Sequence, residues 1–266
     1  MSDVTLVISD IDGTLITSNH EVTDDTRHAA KLLLENGIKL SLASSRPPRA
    51  VVPIADQLGL SSTFAAFNGA LIVTSSGEIL AESTLSPTTT SQIVSLARER
   101  GLDVWLYDKL DWWVSARTQF VDREEHTTGF KALFDGYGEE LQKPLNKLTV
   151  VGEPGRVAEV ARIVDKDLRD VVSASRSKPR FLDVTAFGWH KGSVVSRLAG
   201  LFATTPAHVA VIGDGPNDVE MFVVAGMSIA MGQAVDEVRK KATFITSSND
   251  DEGWSKAINK YVLDGK

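Results

Sequence analysis

A chain of 266 residues with 42% hydrophobic and 24% charged residues can bury a substantial core and build one large domain or two moderate ones, of which two is the expectation. A net charge of -7 argues against a surface that neutralises nucleic-acid phosphates, and no stretch approaches the roughly twenty apolar residues of a membrane span, so no nucleic-acid or membrane partner is expected. The absence of cysteine excludes disulfides, thiolate catalysis and cysteine-ligated zinc, and fits an unexported protein of a reducing cytoplasm.

The run Val4-Thr5-Leu6-Val7-Ile8 reads as a buried strand of a parallel sheet, and Asp10-Ile11-Asp12-Gly13-Thr14-Leu15 leaves its carboxyl end, the edge where such sheets bind ligands. Asp10 and Asp12 are two apart, so strand geometry aims both side chains the same way, and two carboxylates held together call for a hard cation. Two other readings fit the hexapeptide alone. Asp-rich turns are common after strands. Asp10, Asp12, Thr14 and Glu21 also match calcium-loop positions, although Leu15 stands where that loop needs glycine and a strand precedes it.

Thr23 can cap a helix running to Asn36, with Gly37 as its stop, and Ile38 to Ala43 is the next apolar strand. Strand, helix and strand in that order predict a right-handed crossover and parallel pairing. Pro48 can open a helix toward Leu58, with Pro53 kinking it or delaying its start. Phe64 to Phe67 reads as a third strand closed by Asn68-Gly69, and Leu71 to Val73 with Ile79 to Leu80 as a hairpin. The texture changes near Ser83. Thr84 to Pro87 is turn-prone, followed by a helix at Ser91 to Arg100, strands at Val104 to Tyr107, Trp112 to Ser115 and Leu148 to Val151, a helix at Val157 to Leu168, and strands near Val171 to Ala174 and Phe181 to Val184. Strands paired around helices suggest an inserted α+β module. The parallel pattern then returns: a helix from Gly192 to Leu201 opened by Lys191, a strand Val209 to Ile212 ending in Gly213-Asp214-Gly215-Pro216-Asn217-Asp218, a helix from Val219 to Ala225, and a strand Met227 to Ala230.

Three strand ends thus carry polar chemistry, and Lys191 can point its ammonium at the same edge. Carboxylates for a metal, a hydroxyl and backbone N–H groups for an anion, and one cation together match phosphoryl transfer, which relies on positioning and charge neutralisation. Taken singly, Ser44-Ser45 could be turn residues, Lys191 a solvated helix start and the 213 to 218 segment a helix cap.

The pieces DIDGTL at 10 to 15, ASSRP at 43 to 47, Asn68-Gly69-Ala70, His190-Lys191-Gly192 and GDGPND at 213 to 218, in that order, resemble the haloacid dehalogenase superfamily, specifically its Cof-type (subfamily IIB) phosphatases with a large inserted cap. AMGQA at 230 to 234 and the stretch Ser247 to Gly253 also resemble family segments. The resemblance covers nearly the whole chain. It implies an α/β fold with a Rossmann-like, doubly wound parallel core at 1 to 83 and 186 to 266, and an α+β cap at 84 to 185. It implies a Mg²⁺-dependent phosphatase of small phosphorylated metabolites, sugar phosphates above all. Asp10 would be the nucleophile and a metal ligand, and Asp12 the acid and base, its backbone carbonyl on the metal. Asp214 would ligate the metal, and Asp218 would support that site directly or through a neighbour. Ser44 would bond the phosphoryl group, Lys191 would offset its charge, and Asn217 with the N–H groups of Ile11 and Ser45 would help hold it. The family usually has Thr-Gly at Ser44-Ser45, which implies a tighter approach for phosphate, and commonly Asn at Gln233, which touches a supporting bond.

Substrate choice then lies mostly in the insert. The segment from Trp105 to Trp113, which includes Tyr107, Asp108, Lys109, Leu110, Asp111 and Trp112, is dense in aromatics and polar groups, which suits a sugar ring or plain packing. Arg176, Lys178 and Arg180 could meet a second anionic group or be solvated. The same intermediate could serve a phosphomutase or phosphotransferase, and a phosphate-accepting signalling domain also combines Asp, Ser or Thr and Lys at strand ends; the insert and Asp12 argue against the last.

Overall fold

A computed structural model describes residues 3–109, 111–134 and 138–264; Leu110 of the aromatic segment lies outside them. The chain opens with β1 (Leu6–Ser9), every residue of which is buried, followed by α1 (Asp24–Glu35), β2 (Lys39–Leu42) and α2 (Pro48–Gln57). Thr23 caps α1 by accepting from the Thr26 N–H, and Gly37 follows it at φ 73°, as the sequence predicts. Pro53 lies inside α2 without delaying its start, because Pro48 occupies the first turn, where no N–H partner is needed. Next come β3 (Thr63–Ala66), β4 (Leu71–Thr74) and β5 (Ile79–Glu82), an antiparallel trio. A parallel bridge between Ala43 and Ala65 places this trio alongside β2.

The helix expected at Ser91 starts four residues earlier, as α3 (Pro87–Arg98). The Ser86 hydroxyl accepts from the Thr89 N–H and Pro87 stands at the first turn, so the residues read as a turn are a helix start. The insert continues through β6 (Asp103–Tyr107), β7 (Trp112–Trp113), α4 (Gln119–Thr128), β8 (Lys147–Val151), α5 (Pro154–Leu168), β9 (Val172–Lys178) and β10 (Phe181–Ala186). Strand β7 is shorter and β9 longer than their sequence readings. Helix α4 is unanticipated: Thr118 caps it, and Gly129 at φ 67° ends it. The five strands form one antiparallel sheet in the order β7-β6-β8-β10-β9.

The chain then returns through α6 (Lys191–Leu201), β11 (Val209–Gly213), α7 (Val219–Val224), β12 (Met227–Ala230), α8 (Asp236–Arg239), β13 (Phe244–Ile245) and α9 (Gly253–Ala257), which continues as a π-helix over Ile258–Leu263. A parallel sheet in the order β13-β12-β11-β1-β2 results, with Leu6 opposite both Val209 and Lys39. Its central strands β1 and β11 are buried end to end, which is why they read as unbroken apolar runs. Among the described residues no helix is long and apolar enough to cross a membrane.

Candidate active site

The carboxyl ends of β1, β2 and β11 meet the start of α6 at one edge of the parallel sheet. Asp10 extends β1, its N–H donating to the Ile212 carbonyl of β11 at 3.0 Å. Lys191, only 2% exposed, donates from Nζ to Asp10 Oδ1 at 2.5 Å and to Asp218 Oδ1 at 2.6 Å. The other oxygen of Asp218 accepts from the N–H groups of Asp214 at 3.0 Å and Gly215 at 2.8 Å. Both oxygens of Asp218 are therefore engaged in holding the loop and the lysine. One ligand atom from each of Asp10, Asp214 and Asp218 falls within a group no wider than 4.8 Å.

Burial, and then the neighbouring acids, push the Asp10 carboxyl well above the ordinary range, although Lys191 opposes them. Burial and Asp218 push Asp214 up to about 7. Desolvation works against the Lys191 ammonium, but Asp10 and Asp218 outweigh it and hold the lysine charged above its ordinary range. Crowded, dehydrated carboxylates of this kind are what a hard divalent cation with oxygen ligands relieves. The approach is kept open at Gly13: at φ 77°, a Cβ there would stand 2.6 Å from Asp214 Oδ2. The donor set and this clearance both fit Mg²⁺.

The Asp12 side chain lines the same cavity but turns to Arg46 and does not join the acidic group. Arg46 grips it in a fork, Nε to Oδ2 and a terminal nitrogen to Oδ1, each at 2.7 Å. Desolvation alone would raise the Asp12 carboxyl, but this fork holds it below its ordinary range and hence charged. Ser44 is 1% exposed, with its hydroxyl accepting from the Arg46 N–H at 3.1 Å, and Ile11 is fully buried. Neither lines the cavity of about 130 Å³ above the acids; Ser45, Asn217 and Lys191 do. Gln233, longer than the asparagine of the family pattern, donates to the Gly13 carbonyl at 2.5 Å and accepts from the Asn249 N–H at 3.2 Å.

The insert supplies the roof. Lys147, 5% exposed, donates to the Ser45 carbonyl at 2.9 Å and lies 3.4 Å from Asp183, over the face of Tyr107. Asp183 accepts from Thr149 Oγ1 at 2.7 Å and from Asn68 Nδ2 at 3.1 Å, and Asn68 Oδ1 in turn accepts from Asn217 at 3.3 Å. Of the aromatic segment, Trp105 and Tyr107 line the cavity, whereas Trp112 stacks on Tyr107 at 5.8 Å and packs. Lys178 also lines it; Arg176 bonds the Pro179 carbonyl, and Arg180 lies over Phe120. Sequence reasoning missed Lys147, Thr149, Asp183 and Glu124, and quoted Arg46 and Asn68 within motifs without giving them work. Arg46 had a signal: an arginine four residues past the end of β2, on the sheet edge that carries a two-carboxylate turn, has an acid within reach.

A haloacid dehalogenase-like hydrolase family model matches residues 7–258. YxeH of Bacillus subtilis (strain 168) is 30% identical to the chain, covering 97% of it and 98% of the relative. 5-amino-6-(5-phospho-D-ribitylamino)uracil phosphatase YcsE of the same organism is 25% identical over 98% of this chain and 97% of its own length. The crystal structure of a haloacid dehalogenase-like hydrolase from Bacteroides thetaiotaomicron superposes with a TM-score of 0.84 at 30% identity, covering 97% of this chain and 99% of that one. With its ordered motifs brought to one sheet edge beneath an inserted α+β cap, the chain belongs to the haloacid dehalogenase-like hydrolase family.

Proposed function

We propose that the protein is a Mg²⁺-dependent phosphatase of small phosphorylated metabolites, sugar phosphates first among them, that works through a phosphoryl group carried on Asp10. The observation that carries this is the Lys191 ammonium held 2.5 Å from Asp10 Oδ1 within a buried acidic group that no surface turn would need. A relative that bears the name of a phosphatase of a ribityl phosphate ester supports the substrate class. The division into a core at 1 to 83 and 186 to 266 and a cap at 84 to 185 is part of the proposal, supported by the separate antiparallel sheet between β5 and α6. The absence of cysteine supports a cytoplasmic location.

An Asp10 oxygen attacks phosphorus as the bond to the leaving oxygen breaks, and Asp12 gives that oxygen its proton. Water then forms the new bond to phosphorus, the acyl-phosphate P–O bond to Asp10 breaks and returns Asp10 as a carboxylate, and Asp12 takes the water's proton. The fork from Arg46 holds Asp12 as a carboxylate, the form needed for this second half, and must loosen for the first. Lys191 offsets the charge of the transferring group, while Asn217 and the N–H groups of Ile11 and Ser45 orient it, with Ser44 fixing the turn that presents them. Mg²⁺ held by Asp10, Asp214 and the Asp12 carbonyl, with Asp218 bracing Asp214 and Lys191, would neutralise the phosphoryl oxygens.

Purified protein should release phosphate from p-nitrophenyl phosphate with Mg²⁺ and stop on chelation by EDTA. Asp10→Asn should lower kcat by about a thousandfold or more while leaving thermal unfolding nearly unchanged. Activity that survives chelation counts against the metal, and activity that survives the substitution counts against Asp10.

A further inference from the structure

Helix α4 brings Glu124 to the wall of the catalytic cavity, and the end of β9 brings Lys178 to the same wall. The Glu124 side chain has no hydrogen-bond or ion-pair partner among the described residues, and neither does the Lys178 ammonium. Lys178 still acts on Glu124: it is the foremost influence favouring the charged carboxyl, but burial outweighs it and pushes that carboxyl above its ordinary range. Two opposite charges that share a cavity and do not close on each other keep their hydrogen-bonding capacity for a ligand. Thr127 on the same helix and Ser177 beside Lys178 add hydroxyls to that wall, whereas the Thr128 hydroxyl donates to the Glu124 carbonyl. The same four residues Glu124, Thr127, Lys178 and Phe181 also border a second cavity of about 280 Å³.

A hydroxyl is the group that suits both charges, since it donates to a carboxylate and accepts from an ammonium at once. A second anion on the leaving group would satisfy Lys178 but face the Glu124 carboxylate, and an apolar leaving group would strand both charges without water. We infer that Glu124 and Lys178 form a recognition site for a leaving group bearing adjacent hydroxyls, and that this pair selects polyol phosphates over alkyl phosphates. The inference rests on the phosphatase reading of the same cavity.

The test compares ribitol 5-phosphate with butyl phosphate, whose leaving oxygens are both primary alkoxides, in wild type, Glu124→Gln and Lys178→Met. The wild type should prefer the polyol ester in kcat/KM by about tenfold or more, the scale of one hydrogen bond to a charged group. In each variant that preference should fall by about tenfold or vanish. A wild type without the preference, or variants that keep it within about twofold, overturns the inference. Turnover of p-nitrophenyl phosphate with Mg²⁺ reports separately on the phosphatase reading. If that turnover is absent, dissociation constants of the two esters by calorimetry with the same three proteins still decide whether Glu124 and Lys178 discriminate.

Discussion

At the scale of single residues, Gly13 shows how tightly the acidic group is built. Its φ of 77° and the 2.6 Å between a Cβ there and Asp214 Oδ2 mean that Gly13→Ala must both strain the turn, at about 1 kcal/mol, and push Asp214 aside. Mg²⁺ affinity measured by calorimetry should fall by about tenfold or more; unchanged affinity would remove Asp214 from the cation site. Residues of this kind were legible because they come in contiguous motifs after apolar strands. Asp10, Lys191, Asn217 and Asp218 each stand where a strand ends or a helix begins, so chain pattern alone places them. Lys147, Asp183 and Glu124 carry no such mark. A lysine opening the strand Lys147–Val151 has a meaning only once β8 lies between β6 and β10 and points it at Ser45, and that register is a tertiary fact.

Among the elements, the parallel strands β1, β2, β11 and β12 and helix α1 follow from apolar runs and a capping threonine, while the short α8 and β13 went unread and three further helical starts escaped for distinct reasons. Helix α3 opens with Pro87 and three threonines, whose β-branched side chains weaken the helical signal. Helix α4 is largely polar, burying Val121 and Glu125, so it shows little periodic apolar face, although Thr118 and Gly129 bracket it. Helix α9 is five residues long, and only its first, Gly253, falls within a segment that resembles the family. It nonetheless reaches the site: Trp254, 1% exposed, donates from Nε1 to the Ser9 hydroxyl at 2.9 Å, and that hydroxyl donates to the Asp10 carbonyl at 2.6 Å. Trp254→Ala removes a fully buried ring and leaves Ser9 without that donor, so urea unfolding should show a loss of about 3–5 kcal/mol. Trp254→Phe keeps most of the volume and should cost less. A loss below about 1 kcal/mol for the alanine variant would mean that α9 is not part of the cooperative core.

Across the whole molecule, two sheets of different kind are joined by buried contacts. Tyr107 of β6 meets Phe67, past the end of β3, with ring centroids 5.6 Å apart. Beside them, the chain of bonds from Lys147 and Thr149 through Asp183 and Asn68 to Asn217 runs from the roof to the loop beneath it. Lys147 and Asp183 are 5% and 3% exposed, so each charge depends on the other. Lys147→Met keeps an apolar stem over Tyr107 but leaves Asp183 buried without its cation, a change that should cost about 3 kcal/mol in chemical denaturation. Asp183→Asn strands the ammonium in the same way, with the Ser45 carbonyl as its remaining acceptor. The double variant Lys147→Met with Asp183→Asn buries neither charge alone and should recover at least about 1 kcal/mol of the summed losses. Additive losses would show instead that the two charges act independently, and that the Ser45 carbonyl alone ties Lys147 to the loop below.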